Sequence, residues 1–137
     1  MRILALDIGN RRTGIAVNDP MGWNQAQPLQ TILTIHLIEE LPKIIAEYNI
    51  EKIVVGMPYQ EDGTVSGQGH KIMNIVKEIQ THLKKNIPIK YWDESLTSKE
   101  AEEFLIQADV SRKKRKKASD TLAAALILQS YLNEKTK

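Results

Sequence analysis

Asp7, Asp93, Glu94 and Asp120 are carboxylates standing where the packed core of an α/β protein would not ordinarily keep them. Asp7 interrupts the apolar run ILALDI, Asp93 and Glu94 directly follow the run IKYW, and Asp120 opens a helical pattern. Clustered carboxylates suit hard divalent cations such as Mg²⁺ or Mn²⁺, which prefer oxygen ligands. Two such ions about 4 Å apart activate a water and stabilise the leaving oxygen of a phosphodiester hydrolysis. Without metal, three neighbouring negative charges repel and raise at least one pKa. Each carboxylate also has a structural alternative. Asp7 could hydrogen-bond the turn GNRRTG or pair with Arg11 or Arg12, and Asp93 could cap a turn. Asp120 could serve only the helix macrodipole. Residue types and spacing therefore point to a metal site and leave these alternatives open.

The elements that must position these groups are legible in the hydrophobic pattern. Residues 3–8 read as a strand buried on both faces. A polar connector at 9–13 leads to a second strand at 14–18, and so short a link demands an antiparallel hairpin. Asp19-Pro20 marks a turn, 22–27 a loop, and 29–35 a third strand. Leu41, Ile44, Ile45 and Tyr48 fall at helical spacing over 39–48, with Pro42 placed in the first turn. A short buried strand covers 53–56. Ile72, Ile75, Val76, Ile79 and Leu83 mark a strong amphipathic helix, and 88–92 a fifth strand. Thr97 and Glu100 fit a capping box for a helix over 98–107. A last helix over 119–132 carries Leu122, Ala125, Leu126 and Leu132 on one apolar face.

The order β-β-β-α-β-α-β-α-α implies an α/β fold with a five-stranded mixed sheet and helices on both faces. Ligand sites of such sheets lie at the carboxyl ends of parallel strands. If the first and last strands run parallel, Asp7 and Glu94 share that edge. The final helix need then only cross the sheet for Asp120 to join them, and Ala123, Ala124 and Ala125 permit the close approach.

A chain of 137 residues, 42% of them hydrophobic and 26% charged, suits one globular domain over 1–137. With aromatics at 5%, the core must be built from Ile, Leu, Val and Ala. The absence of cysteine excludes disulfides and thiolate metal sites. MRILALDIGN has too short an apolar stretch for a signal peptide, and no run reaches the roughly 20 residues of a membrane span. A cytoplasmic chain without membrane contact is expected.

The net charge of +2 conceals an asymmetry. Arg112, Lys113, Lys114, Arg115, Lys116 and Lys117 are six of the 19 basic residues; without them 13 basic residues face 17 acidic ones, a net of −4. So concentrated a cationic segment attracts polyanions and can neutralise phosphates irrespective of base sequence. Its ordinary alternative, a solvated loop, is less favoured beside a candidate catalytic aspartate. Residues 60–69 form either a flap or a connector, with Gly67 and Gly69 ahead of a helix N-terminus as a candidate phosphate perch. No P-loop or dinucleotide fingerprint is complete. His36, His70 and His82 are dispersed and read as structural or surface residues, and Trp23 and Trp92 as packing residues.

Four segments in order resemble the YqgF/RuvX family of Holliday-junction resolvase-like, pre-16S rRNA nucleases. They are LALDIGNRRTGIAVNDPMG, VVGMPYQEDGTVSGQG, WDESLTSKEAEEFL and KKRKKASDTLAAALILQSYL. The resemblance runs essentially end to end. It implies an RNase H-like fold and a hydrolase that cleaves structured nucleic acid with Mg²⁺ or Mn²⁺. It also implies a role in processing the 5′ end of the small-subunit rRNA precursor, on or near a pre-ribosomal particle. By position, Asp7, Glu94 and Asp120 match the family's catalytic and metal-binding carboxylates, and Asp93 the aspartate adjacent to the second of them. Ser95 stands where the family usually has arginine, and Ser98 replaces a threonine. The lost cation would weaken phosphate contact unless Arg11 or Arg12 takes its place.

Two alternatives accompany this reading: a Holliday junction resolvase acting on branched DNA, which a symmetric dimer would suit, and a non-catalytic nucleic-acid-binding module. A monomer or weak homodimer is expected otherwise. DIGNRRTG also resembles the phosphate-binding turn of sugar kinases and actin-like ATPases, but those need two such domains around ATP.

Overall fold

The structure, a computed structural model, describes residues 1–19, 21, 25–96 and 119–135; the side chains at 96, 119 and 120 lie outside that description. Strands β1 (Ile3–Ile8), β2 (Arg12–Asn18) and β3 (Ala26–Leu33) form an antiparallel meander. A 3₁₀ turn (Thr34–His36) leads into helix α1 (Leu37–Tyr48), followed by β4 (Lys52–Met57), α2 (Gly67–His82), β5 (Ile89–Asp93), a 3₁₀ turn (Glu94–Leu96) and helix α3 (Ser119–Lys135). The sheet order is β3-β2-β1-β4-β5, and β1, β4 and β5 are mutually parallel.

Strand alternation divides the hydrophobic residues between two layers. Leu4, Leu6 and Ile8 of β1, with Ile53, Val55 and Met57 of β4, face α1 and α2. Ile3 and Ala5 of β1, Ala16 of β2, Ala26 of β3 and Val54 of β4 face α3. Small residues on that second face let α3 settle close to the sheet, which is why Ala124, Ala125, Ile127, Leu128, Tyr131 and Leu132 are all buried. The five-stranded mixed sheet with helices on both faces is thus as expected.

Several boundaries differ from the pattern reading, each for a physical reason. β3 begins at Ala26, inside the stretch read as loop, because Ala26 is buried against α3 and its N–H donates to Gln129 Oε1 at 2.8 Å. Pro28 is tolerated there because β3 is an edge strand and its register shifts beside the proline. The strand ends at Leu33, where the chain turns into the 3₁₀ segment. Pro42 lies in the second turn of α1, not the first: fully buried Leu37 starts the helix earlier, and the ring leaves the Ile38 carbonyl without its usual donor. Gly67 and Gly69 do not precede α2 but form its first turn, capped by Ser66, whose Oγ accepts the Gly69 N–H at 3.1 Å. On α3, Ala125 and Leu132 face inward as expected and are joined by Ile127, Leu128 and Tyr131, while Leu122 and Leu126 are only half-buried. The expected capping box at Thr97 and the helix over 98–107 lie outside the described residues.

Candidate active site

Parallel pairing brings the carboxyl ends of β1, β4 and β5 to one sheet edge. Alternation then sorts the acids between faces. Asp7 follows Ile3 and Ala5 onto the α3 face, and Gly56 follows Val54. Trp92 of β5 belongs to that same layer, and Glu94 lies two residues beyond it, against Gly56. Asp7 and Glu94 line a cavity of about 220 Å³ together with Ala123, Leu126 and Ile127 of α3.

The two carboxyls interact directly. Burial, the negative charge of Asp7, a hydrogen bond with Asp7 and the charge of Asp93, in that order, push the Glu94 carboxyl up to about 7. Desolvation and the neighbouring Asp7 charge both disfavour the ionised form of Glu94. Both carboxyls offer only oxygen, the donor type a hard divalent cation prefers.

Gly56 makes this approach possible. A Cβ there would lie 2.4 Å from Ile127 Cδ1 and 3.2 Å from both Cγ and Oε1 of Glu94. Glycine in a strand interior is the one sequence signal of such an approach.

Asp93 takes the turn-capping role. The Ser95 N–H donates to Asp93 Oδ1 at 2.9 Å and the Ser95 hydroxyl donates to the same oxygen at 2.8 Å. Being one residue out of phase with Glu94, Asp93 acts on that neighbour chiefly through its charge. Ser95, which stands in the arginine position, is therefore engaged in fixing the turn that carries Glu94. No group of three metal-binding side chains closes on one point among the described residues. Asp120 lies in the first turn of α3, three and seven residues before Ala123 and Ile127. Helical periodicity puts its backbone on the stripe that lines the cavity.

The turn after β1 is held from behind. The Gly9 N–H donates to the Arg12 carbonyl at 2.9 Å, and the Thr34 hydroxyl donates to the Gly9 carbonyl at 2.8 Å. Thr13 and Thr34 hydroxyls lie 2.9 Å apart, and the Thr34 N–H donates to the Arg11 carbonyl at 2.9 Å. This network, which the pattern reading missed, presents Arg11 and Arg12 outward, both exposed. His36, His70 and His82 are exposed and scattered. Trp92 packs as expected, edge-to-face on Tyr131 at 5.3 Å. The basic run from Arg112 to Lys117 and Trp23 lie outside the described residues.

The fold aligns with that of RuvC from Thermus thermophilus in complex with a Holliday junction substrate. The match has a TM-score of 0.60 at 11% identity and covers 99% of this chain and 96% of that one. This places the chain among RNase H-like folds. A curated relative from Desulforamulus reducens is 48% identical over the full length of both chains. One from Bacillus subtilis is 44% identical, covering 97% of this chain and 98% of the relative. Both bear the name "Putative pre-16S rRNA nuclease". The family model described as RuvX: Holliday junction resolvase matches residues 1–134. End-to-end identity and a shared RNase H-like sheet leave one assignment: the chain belongs to the RuvX family.

Proposed function

We propose that this protein is a divalent-metal-dependent nuclease that hydrolyses phosphodiester bonds of structured RNA, acting in the cytoplasm on the 5′ end of the pre-16S rRNA. The observation that carries the proposal is the Asp7–Glu94 pair over Gly56, at the edge where β1 and β5 end in parallel. The names of the full-length relatives support the substrate. Asp7 and Glu94 would hold Mg²⁺ or Mn²⁺, with Asp120 completing the set from the first turn of α3. Such ions, when bound, activate water and stabilise the departing oxygen. The chain's own contribution is to fix the ligands. Gly56 admits the Glu94 side chain, the Thr13–Thr34 pair holds the turn after Asp7, and Ser95 pins the turn bearing Glu94. Arg11 and Arg12, exposed at the turn that follows β1, and the run Arg112–Lys117 supply cations for the phosphate backbone.

Cleavage of a four-way DNA junction is the second reading, favoured by the likeness to a junction-bound RuvC and by the family's description. A direct comparison separates them. Wild type and Asp7→Asn are incubated with a pre-16S 5′-end RNA and a four-way junction, in Mg²⁺ and in Mn²⁺. Precursor RNA cleaved by wild type alone is expected. Junction cleavage without RNA cleavage would transfer the assignment to DNA. RNA binding with no metal-dependent cleavage would make the protein a binding module.

A further inference from the structure

The α3 face of β4 and β5 carries a second cavity, of about 330 Å³, that the carboxylate site does not use. Its walls are Lys52, Lys90, Trp92, Tyr131, Glu134 and Lys135. Three ammonium groups thus meet one carboxylate around an aromatic pair. Lys52 Nζ donates to the Tyr131 hydroxyl at 2.5 Å and lies 5.0 Å from the ring centroid. Lys135 Nζ lies 5.5 Å from the same centroid. Burial by itself would raise the Tyr131 phenol, but hydrogen bonds from Lys52 and Lys135 outweigh it and hold the group below its ordinary value. The aromatic wall is fixed by two contacts: Trp92 meets Tyr131 at 87°, and its Nε1–H donates to Ser130 Oγ at 3.1 Å.

Three ammonium groups against the single Glu134 carboxylate leave the cavity net positive, which attracts an anion. Lysine ammoniums are compact phosphate ligands, and an aromatic wall beside them accommodates a base or sugar face. The placement relates this cavity to the carboxylates. Lys52 and Lys90 stand four residues before Gly56 and Glu94, with Trp92 on the same face, in parallel neighbouring strands. At the strand rise, the separation is about 13 Å.

We propose that this cavity is a phosphate-binding subsite for the nucleic-acid backbone, holding the strand that continues from the Asp7–Glu94 site along β4 and β5. The proposal rests on the nuclease reading above. The backbone phosphodiester is the assigned source of the phosphate; a free phosphate or 5′-nucleotide shares its chemistry and is separated experimentally.

The test compares two charge-matched double variants of the full chain. Lys90→Gln/Lys135→Gln removes two exposed cations from the cavity; Lys84→Gln/Lys85→Gln removes two exposed ones from the α2–β5 connection. Affinity for a pre-16S 5′-end RNA is measured in EDTA from 50 to 300 mM salt, beside Mn²⁺-dependent cleavage. The cavity variant should lose about tenfold in affinity, with the log–log salt slope smaller by about 2. The control pair should stay near wild type. Equal effects of the two pairs, or none from the cavity pair, would overturn the subsite, while wild-type cleavage would leave the nuclease reading standing. Saturable quenching of tryptophan fluorescence by inorganic phosphate or AMP, with RNA affinity unaffected by Lys90→Gln/Lys135→Gln, would reassign the cavity to a small phosphate and overturn the backbone role. Absence of any RNA binding by wild type would overturn both.

Discussion

Replacing Glu94 by glutamine should stabilise the metal-free protein at pH 8 and do much less at pH 5. The Glu94 carboxyl, ordinarily near 4.5, titrates at about 7 in the folded protein because of burial and the Asp7 charge. Folding therefore favours its protonated form. That contribution is fully present below about pH 4.5 and is lost as the pH rises through 7, so the metal-free wild type weakens across this window. The full displacement corresponds to ~3 kcal/mol. Glu94 is only half-buried and part of that is screened, which leaves ~1 kcal/mol. Glu94→Gln keeps the shape and removes the titration. The assay is urea denaturation of both proteins in EDTA at pH 5 and pH 8, the double difference cancelling other titrating groups. Divalent metal should reverse the sign at pH 8, stabilising wild type by mass action and the variant far less. A double difference of zero, or a variant that is less stable than wild type at pH 8 in EDTA, would refute the account of a Glu94 carboxyl raised by burial and by the Asp7 charge.

Gly56→Ala should cost about 1–3 kcal/mol by overpacking against Ile127. Through the displaced Glu94 it should also depress metal-dependent cleavage more than the lost stability explains; retained turnover would show that Glu94 needs no such cradle. Leu128→Ala, at a fully buried position of α3, should destabilise by about 2–5 kcal/mol in urea denaturation. Leu126→Ala, half-buried beside the cavity, should cost distinctly less. Ser95→Arg exchanges the hydroxyl bond to Asp93 for a cation beside Glu94 while the backbone N–H bond can persist. Cleavage should speed up with a stability change below about 1 kcal/mol, and an unchanged rate would mean that no cation is wanted there.

The sequence alone determined the order of the described elements, the antiparallel hairpin after Asp7 and the helices on two faces. Those features rest on local periodicity and on connector length, which residues 9–13 and the spacing of Ile72 to Ile79 express without help from distant contacts. It also marked Asp7, Asp93, Glu94 and Asp120, because an acid at the end of an apolar strand or at the start of an apolar helix is anomalous wherever the element goes. Tertiary structure decided the rest. Adjacent acids Asp93 and Glu94 look equivalent in sequence; strand phase and the Ser95 bonds assign one to a turn and the other to Asp7. The start of β3 at Ala26 depends on Gln129, more than one hundred residues away. Gly56 acquires its role only when Ile127 crosses above it, and the lysines around Tyr131 converge only once β4, β5 and α3 have packed. Such groupings depend on pairing register and helix placement, which contacts distant in sequence set and no local pattern encodes.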